Sequence, residues 1–231
     1  MKRPEIAINF ALTWDARIST RNRTPSTFSS PRDKARMQQI RASADALLVG
    51  RGTVVADRMT MTLSDPTLRA ARRAEGRSEA PLRVVVSNRG IFDPALPLFA
   101  TPGAPILVFT SSLIMPEHRA ALENAGAIVE VCAEPQVDLE TMLLKLAQAY
   151  DVRRVVCEGG PTLLHSLLAR DLVDELNLTF CPLIFGGEGA PTLTGLPGAF
   201  LSKPGEFRLE AMETVEGECF LRYRRRKRKT H

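Results

Sequence analysis

Two glycine-containing turns, each directly after an apolar run, are the clearest candidates for binding chemistry. In residues 155–163 the run ends in Glu158-Gly159-Gly160, and Pro161 then opens a predicted helix. Glycines let a ligand approach the backbone, and a helix N-terminus offers unpaired N–H groups with a partial positive charge, so the pattern suits a pyrophosphate. It is neither G-x-G-x-x-G nor a P-loop. A tight strand-to-helix turn that needs glycine for its backbone alone explains the pattern equally well.

The second turn, in residues 47–54, follows another apolar run with Gly50-Arg51-Gly52-Thr53. The side chains of Thr53 and Arg51 can hydrogen-bond to phosphate oxygens, and Arg51 would suit a 2′-phosphate. In open α/β sheets, ligands bind outside the carboxyl ends of the strands. Two glycine turns at such ends therefore predict a dinucleotide that lies across that edge of the sheet.

A third segment, residues 9–19, leaves the first predicted strand with Trp14, the only tryptophan, followed by Asp15. An aspartate after a strand is commonly a turn former, and Asp15 is also a candidate acid. The glycine-rich turn at residues 186–189 follows a later predicted strand and is expected to be a flexible loop without chemistry of its own.

The chain lacks the residues of the common catalytic sets. It has three histidines and four cysteines, with no C-x-x-C pair, no zinc-deaminase pattern and no G-x-S-x-G elbow. We therefore expect no metal and no pair of nucleophile and histidine. Because acid–base groups are so few, the chemistry is expected to come from a cofactor. Hydride transfer from a nicotinamide fits, since it needs only placement and a proton source.

Strands and helices alternate along the chain, which positions these turns at one edge of a sheet. The first six strands are nearly continuous apolar runs, as in parallel strands covered on both faces, and the last two flank a hairpin signal. The expected fold class is α/β, with three αβα layers, a mixed, mostly parallel sheet and a C-terminal antiparallel hairpin. Strands are predicted at residues 6–12, 46–49, 82–87, 106–110, 127–132, 155–158, 175–183, 207–215 and 219–223, and helices open at Pro31, Pro116, Leu139 and Pro161, with another through residues 68–74.

The length of 231 residues and the ordinary composition, 44% apolar and 25% charged, predict a single folded domain over residues 1–223. No apolar run can span a bilayer and no signal peptide is recognisable, so a cytoplasmic location without a membrane partner is expected. The net charge of +5 arises from seven basic residues among the last ten. Residues 224–231 are expected to form a disordered basic tail, and nucleic-acid binding through this tail is the alternative function of another class.

Six motifs occur in one order and together resemble the reductase domain of riboflavin biosynthesis, in a stand-alone form without a deaminase domain. The resemblance covers about residues 5–223 and implies a dihydrofolate-reductase-like fold and a homodimer. It also implies NADPH-dependent reduction of the ribosyl group of a small-molecule substrate to ribityl. That substrate would be 5-amino-6-(5-phosphoribosylamino)uracil or its 2,5-diamino-pyrimidinone analogue. The motifs are Thr13-Trp14-Asp15-Ala16-Arg17, Ser29-Ser30-Pro31-Arg32-Asp33, residues 41–54, residues 82–86, Glu158-Gly159-Gly160-Pro161-Thr162-Leu163 and Leu172-Val173-Asp174-Glu175-Leu176.

Together with the two turns, the resemblance implies roles for individual residues. Glu158 and Asp15 would be catalytic, and Arg41 and Glu158 would bind the substrate. The implied cofactor contacts are Ala11, Gly50, Arg51, Thr53, Asp57, Asn88, Gly159, Gly160, Thr162 and Leu163.

The chain departs from the family pattern after Thr53. The family runs Asp-Asp-Pro-x-Leu-Thr there and then carries an arginine that binds the substrate phosphate, whereas residues 57–64 place Arg58 at the second acid and no arginine at the later position. Either Arg58 supplies the phosphate contact, with Thr62 as a further substrate contact, or the substrate lacks that phosphate. The altered loop therefore keeps a second alternative open, a reductase of the same fold that acts on another pterin or pyrimidine heterocycle.

Overall fold

A computed structural model describes residues 2–22, 28–187, 189–194 and 200–226. Within these ranges one mixed sheet of nine strands is covered by helices. The strands are β1 (Glu5–Thr13), β2 (Ala46–Gly50), β3 (Leu82–Val86), β4 (Ile106–Thr110), β5 (Ala127–Val131), β6 (Arg154–Gly159), β7 (Glu175–Cys181), β8 (Phe207–Val215) and β9 (Glu218–Arg225). The helices are α1 (Pro31–Ser43), α2 (Arg51–Asp57), α3 (Pro66–Ala74), α4 (Pro97–Ala100), α5 (Pro116–Asn124), α6 (Leu139–Tyr150) and α7 (Pro161–Ala169).

The strand order is β5-β4-β3-β2-β6-β1-β7-β9-β8. All pairs from β5 to β7 are parallel, and β7–β9 and β9–β8 are antiparallel. The predicted α/β class, the mostly parallel sheet and the antiparallel C-terminal hairpin are thus confirmed. The strands β2, β6 and β1 are neighbours, so the two glycine turns and the segment after β1 lie at the same edge of the sheet.

Alternate residues of the strands pack into two cores, one on each face of the sheet. Ile6 and Leu48 face the core beneath α6 and α7, whereas Ala7 and Leu47 face the core beneath α1, α2 and α5. The sheet therefore has helices on both faces, as predicted. The helix starts are specified locally: Ser30 and Asp138 accept hydrogen bonds from the backbone N–H groups of Asp33 and Thr141.

Two strand ends differ by two residues from the sequence prediction, and the other strand boundaries agree with it to within one residue. β9 continues to Arg225, two residues into the expected basic tail, because the Arg224 guanidinium forms ion pairs with Glu5 and the buried Glu175. The predicted strand at 175–183 ends earlier, at Cys181. Of the rest of the expected tail, Arg226 N donates to the Glu206 carbonyl, and residues 227–231 lie outside the described residues. In the described ranges no helix is both long and apolar enough to cross a membrane.

Candidate active site

A cavity of about 510 Å³ opens at the carboxyl ends of β1, β2 and β6. Its wall combines residues from these strands with the first turns of α1, α2 and α7. Ligands of open α/β sheets bind at this edge, so the cavity is the candidate active site. The lining residues are Asn9, Phe10, Ala11, Ile18, Ser19, Ser29, Asp33, Lys34, Met37, Gly50, Gly52, Thr53, Ala56, Asp57, Met59, Glu158, Gly159, Gly160, Pro161, Thr162, Leu163 and Pro191.

The two glycine turns contact each other in this wall, because Thr53 lies against the Gly159-Gly160 turn. A Cβ atom added at Gly159 or Gly160 would lie 2.7 or 2.8 Å from Thr53 Oγ1, so Thr53 requires glycine at both positions. The peptide bond between the two glycines is cis. The N-caps of α2 and α7, Gly50 and Gly160, provide no side-chain hydrogen bond to the first turn of their helices. The N–H groups there are therefore available to an anion.

Asp57 lies one turn after Thr53 on α2, and both side chains line the cavity. Burial raises the pKa of the Asp57 carboxyl. Ala11, Thr162 and Leu163 complete the part of the wall that the sequence assigned to the cofactor.

Glu158 also lines the cavity, and a buried ion pair fixes its carboxylate. Arg41 Nε and Nη2 donate to Glu158 Oε1 and Oε2, each at 2.7 Å, and Arg41 Nη1 donates to the Thr62 carbonyl at 2.7 Å. The two side chains are only 8% and 4% exposed. Burial opposes the charge on Arg41, but the attraction and hydrogen bonds of Glu158 prevail and raise the pKa of the guanidinium. Glu158 is thereby presented to the cavity, while Arg41 and Thr62 lie behind it, outside the wall.

Asp15 lies beside the cavity and holds the segment that follows β7. Its carboxylate accepts hydrogen bonds from the Thr13 hydroxyl, Phe185 N and Gly186 N at 2.6, 3.2 and 2.8 Å. The Thr13 hydrogen bond, together with those from the two backbone N–H groups, outweighs desolvation and lowers the pKa of Asp15 to about 2. Asp15 is therefore ionised at neutral pH and is no proton donor there.

Arg17 continues this attachment, since its guanidinium donates to the carbonyls of Gly187 and Ala190, each at 2.7 Å. Ile18 N donates to the carbonyl of Pro191, which brings Pro191 into the cavity wall. The described part of the glycine-rich turn at residues 186–189 is thus tied to the segment after β1, although the sequence predicted a flexible loop there.

Besides Asp15, Arg41 and Thr62, three further predicted site residues lie outside the wall. The Arg51 guanidinium donates to the Ile91 carbonyl and lies over the Phe92 ring. The Asn88 carbonyl and side-chain oxygens accept from the Ser111 hydroxyl and Val137 N, so Asn88 organises its own turn. Arg58 is exposed in the left-handed conformation that ends α2.

Several residues that line the cavity have no role predicted from the sequence. Asn9 and Ser19 flank the segment around Asp15, and the first turns of α1 contribute Asp33, Lys34 and Met37. For α1 the available signal was the spacing of Asp33, Lys34 and Met37 on one face of a helix whose start was predicted. In the described ranges no group of three or more His, Cys, Asp and Glu side chains is placed to hold a metal ion.

The parallel sheet, with a cavity across the carboxyl ends of neighbouring strands and two uncapped helix starts in its wall, defines an α/β enzyme of the nucleotide-binding kind. Residues 4–218 match the RibD C-terminal domain, and the chain belongs to that family. The resemblance to the reductases of riboflavin biosynthesis is confirmed. Membership of this reductase family implies a nicotinamide cofactor.

Relatives of nearly the same length support the assignment. The chain is 36% identical over 221 residues to a protein of Archaeoglobus fulgidus named 2,5-diamino-6-ribosylamino-4(3H)-pyrimidinone 5′-phosphate reductase, covering 94% of this chain and 96% of that protein. A protein of the same name from Methanothermobacter thermautotrophicus is 34% identical, with 83% of each chain covered. Among solved structures, a pyrimidine reductase-like protein of Corynebacterium diphtheriae shares the fold with a TM-score of 0.82 at 22% identity, over 97% of this chain and 93% of that chain.

Proposed function

We propose that this protein reduces the ribosyl group of a ribosylamino-pyrimidine 5′-phosphate to a ribityl chain, with NADPH as the cofactor. The observation that carries the proposal is the position of Glu158 directly before the Gly159-Gly160 turn, in the same cavity wall. The Glu158 carboxylate and the turn that is proposed to bind an anion are therefore adjacent. The archaeal relatives at 34–36% identity, named as reductases of such a phosphate, supply the substrate class.

The cofactor fits the part of the wall that Gly50, Thr53, Gly160 and Thr162 form. Glycines at the turn leave room for a pyrophosphate, and the uncapped first turns of α2 and α7 offer N–H donors. When bound, the nicotinamide supplies the hydride. Asp57 lies in this same part of the wall, where its carboxylate would accept hydrogen bonds from hydroxyl groups of the cofactor.

Glu158 orients the pyrimidine by accepting hydrogen bonds from the amino groups of the ring. The carboxylate is a rigid acceptor at the cavity wall because Arg41 fixes it. Arg41 acts through Glu158. The proposed role of Asp15 is likewise indirect: as a carboxylate it holds residues 185–186 and thereby the cavity rim.

The test is a reductase assay on the purified protein. It is mixed with NADPH and either 2,5-diamino-6-ribosylamino-4(3H)-pyrimidinone 5′-phosphate or 5-amino-6-(5-phosphoribosylamino)uracil, and NADPH absorbance and ribityl product are followed together. We expect one ribityl product for each NADPH consumed, and slower turnover with NADH. Turnover of dihydrofolate alone would favour a reductase of another heterocycle, and no NADPH oxidation with any of these compounds would overturn the proposal.

We also propose that the protein is a cytoplasmic homodimer. β8 is the edge of the sheet, and Leu209 and Met212 on it are 47% and 65% exposed. They pair with Tyr223 and Leu221 of β9, so the four side chains form an apolar stripe on one sheet face, which a second copy would cover. Light scattering should give twice the 25.4 kDa chain mass, and Met212→Lys should shift it towards the monomer. A monomeric parent would contradict the dimer.

A further inference from the structure

The described cavity wall contains one basic residue, Lys34. Its other charged residues are the carboxylates Asp33, Asp57 and Glu158. A ligand with a terminal phosphate needs a positively charged partner, because desolvation of an unpaired phosphate is costly. The relatives with 34–36% identity are named for a 5′-phosphate substrate. Lys34 is therefore the residue whose charge fits this part of the substrate.

The arginines around the cavity are committed to other partners. Arg41 is bound to Glu158 and the Thr62 carbonyl, and Arg17 donates to the Gly187 and Ala190 carbonyls. Arg51 turns away to the Ile91 carbonyl. Arg58, predicted from the sequence as a possible contact to the substrate phosphate, is exposed and lies outside the wall.

α1 holds Lys34 in a fixed frame through its first turns. Ser30 caps the helix and its hydroxyl is hydrogen-bonded to Glu218, while Asp33 Oδ1 accepts from the Thr179 hydroxyl at 2.6 Å. Arg36 donates to Thr179 Oγ1 and to the Leu221 carbonyl. These contacts fix the start of α1 to β7 and β9, so the backbone that carries Lys34 is held in place at the cavity.

The same helix also holds the altered loop. Gln38, one turn after Lys34, accepts a hydrogen bond from Ser64 N at 2.8 Å. Lys34 and Met37 line the cavity, and Arg41 lies one turn beyond Met37 on the same face. One face of α1 thus carries the arginine that fixes Glu158 and, at the cavity, Lys34, whose ammonium has no hydrogen-bond or ion-pair partner among the described residues.

We propose that Lys34 binds the 5′-phosphate of the substrate and sets the preference for phosphorylated over unphosphorylated substrate. The proposal rests on the proposed function, because it concerns the far end of the same substrate. Lys34 takes no part in hydride transfer. It places the ribosyl group by binding the phosphate at the α1 side of the cavity.

The test compares Lys34→Met, Lys34→Arg and Arg58→Met, with Lys145→Met on the distant α6 as the control. For Lys34→Met we expect kcat/KM on the phosphorylated substrate to fall about 10- to 100-fold through KM, as for loss of a charge-assisted hydrogen bond. Activity on the dephosphorylated compound should change less than about twofold, a split that a merely structural role would not produce. Lys34→Arg should restore most of the preference, and Arg58→Met and Lys145→Met should leave it intact.

A binding measurement separates this inference from the proposed function. Ribose 5-phosphate should raise the Tm of the parent more than ribose does, and Lys34→Met should abolish that difference. Equal losses on both substrates, or a selective loss in Arg58→Met alone, would overturn the role of Lys34. If the unsubstituted protein oxidises NADPH with neither substrate, the proposed function is overturned. The Tm shift with ribose 5-phosphate would then still test, on its own, whether Lys34 binds a phosphate.

Discussion

The sharpest test of the Gly159-Gly160 turn is Gly160→Ala, made both in the parent protein and in the Thr53→Ala variant. A Cβ atom at Gly160 would lie 2.8 Å from Thr53 Oγ1, and no other atom beyond its chain neighbours lies within 4 Å. The backbone of Gly160, with φ −93° and ψ −179°, is extended and accepts any residue. The cost of an alanine here therefore comes from one contact and not from backbone strain.

The magnitude follows from two opposing effects. Overpacking costs about 1–3 kcal/mol, and replacing glycine by alanine in a compatible conformation stabilises by about 0.4–1 kcal/mol through the unfolded chain. We expect Gly160→Ala to lower the free energy of unfolding by about 1–2 kcal/mol. In the Thr53→Ala background the contact is gone, so the same change should be neutral or stabilising. The coupling energy between the two sites should be about 1–3 kcal/mol.

The assay is urea denaturation of four proteins: the parent, Gly160→Ala, Thr53→Ala and the double variant. NADPH binding to each is titrated alongside. Gly103→Ala is a matched control, because its Cβ would meet only Arg83 at an ordinary 3.6 Å, outside the cavity wall. The double variant should be as stable as Thr53→Ala and still bind NADPH at least about tenfold more weakly than Thr53→Ala, because the proposed function puts the pyrophosphate against this turn. Equal destabilisation by Gly160→Ala in both backgrounds would refute the contact. Unchanged NADPH affinity would place the cofactor elsewhere.

Two further predictions concern charged groups of the site. The pKa of Asp15 is lowered to about 2 from 3.8, so its carboxylate stabilises the fold above about pH 4 and this stabilisation is lost as pH falls towards 2. Asp15→Asn should therefore lower the Tm at pH 7, with the difference shrinking below pH 4; a constant difference across pH would contradict this. Glu158→Gln leaves the buried Arg41 without its counter-ion and should cost about 3–5 kcal/mol in urea unfolding, whereas Arg41→Met combined with it should recover part of that loss.

The fold was predictable because its signals are local. Ser30 with Pro31 and Asp138 before Leu139 specify helix starts, and apolar runs specify buried strands, so each element could be found from a few neighbouring residues. The single-turn α4 (Pro97–Ala100) was missed because it has neither an apolar period nor a side-chain cap. The end of β9 was missed because Arg224 is held in the strand by ion pairs with Glu5 and Glu175, which are distant in sequence.

The glycine turns and the wall residues next to them, such as Thr53 and Glu158, were predictable from the sequence, whereas the directions of the long side chains were not. Parallel strands that end in glycine turns must bring those turns to one edge, and the contact between Thr53 and Gly160 confirms that they meet. Side-chain directions carry no such local signal. Arg41 and Glu158 are 117 residues apart, and the sequence does not reveal that one holds the other. Likewise Arg51 has the right type for a phosphate but points to a carbonyl outside the cavity.

In the proposed function, the altered loop after Asp57 leaves the phosphate contact to another element. Met61 and Leu63 are buried in the core, and the Thr62 carbonyl between them accepts from Arg41. These residues therefore pack and fix the Glu158 pair, and none of the three reaches the cavity wall. A positive charge for the phosphate of the proposed substrate would then come from a different element. α1 meets this need, because its Gln38 binds the end of the same loop and Lys34 lies one turn away at the cavity.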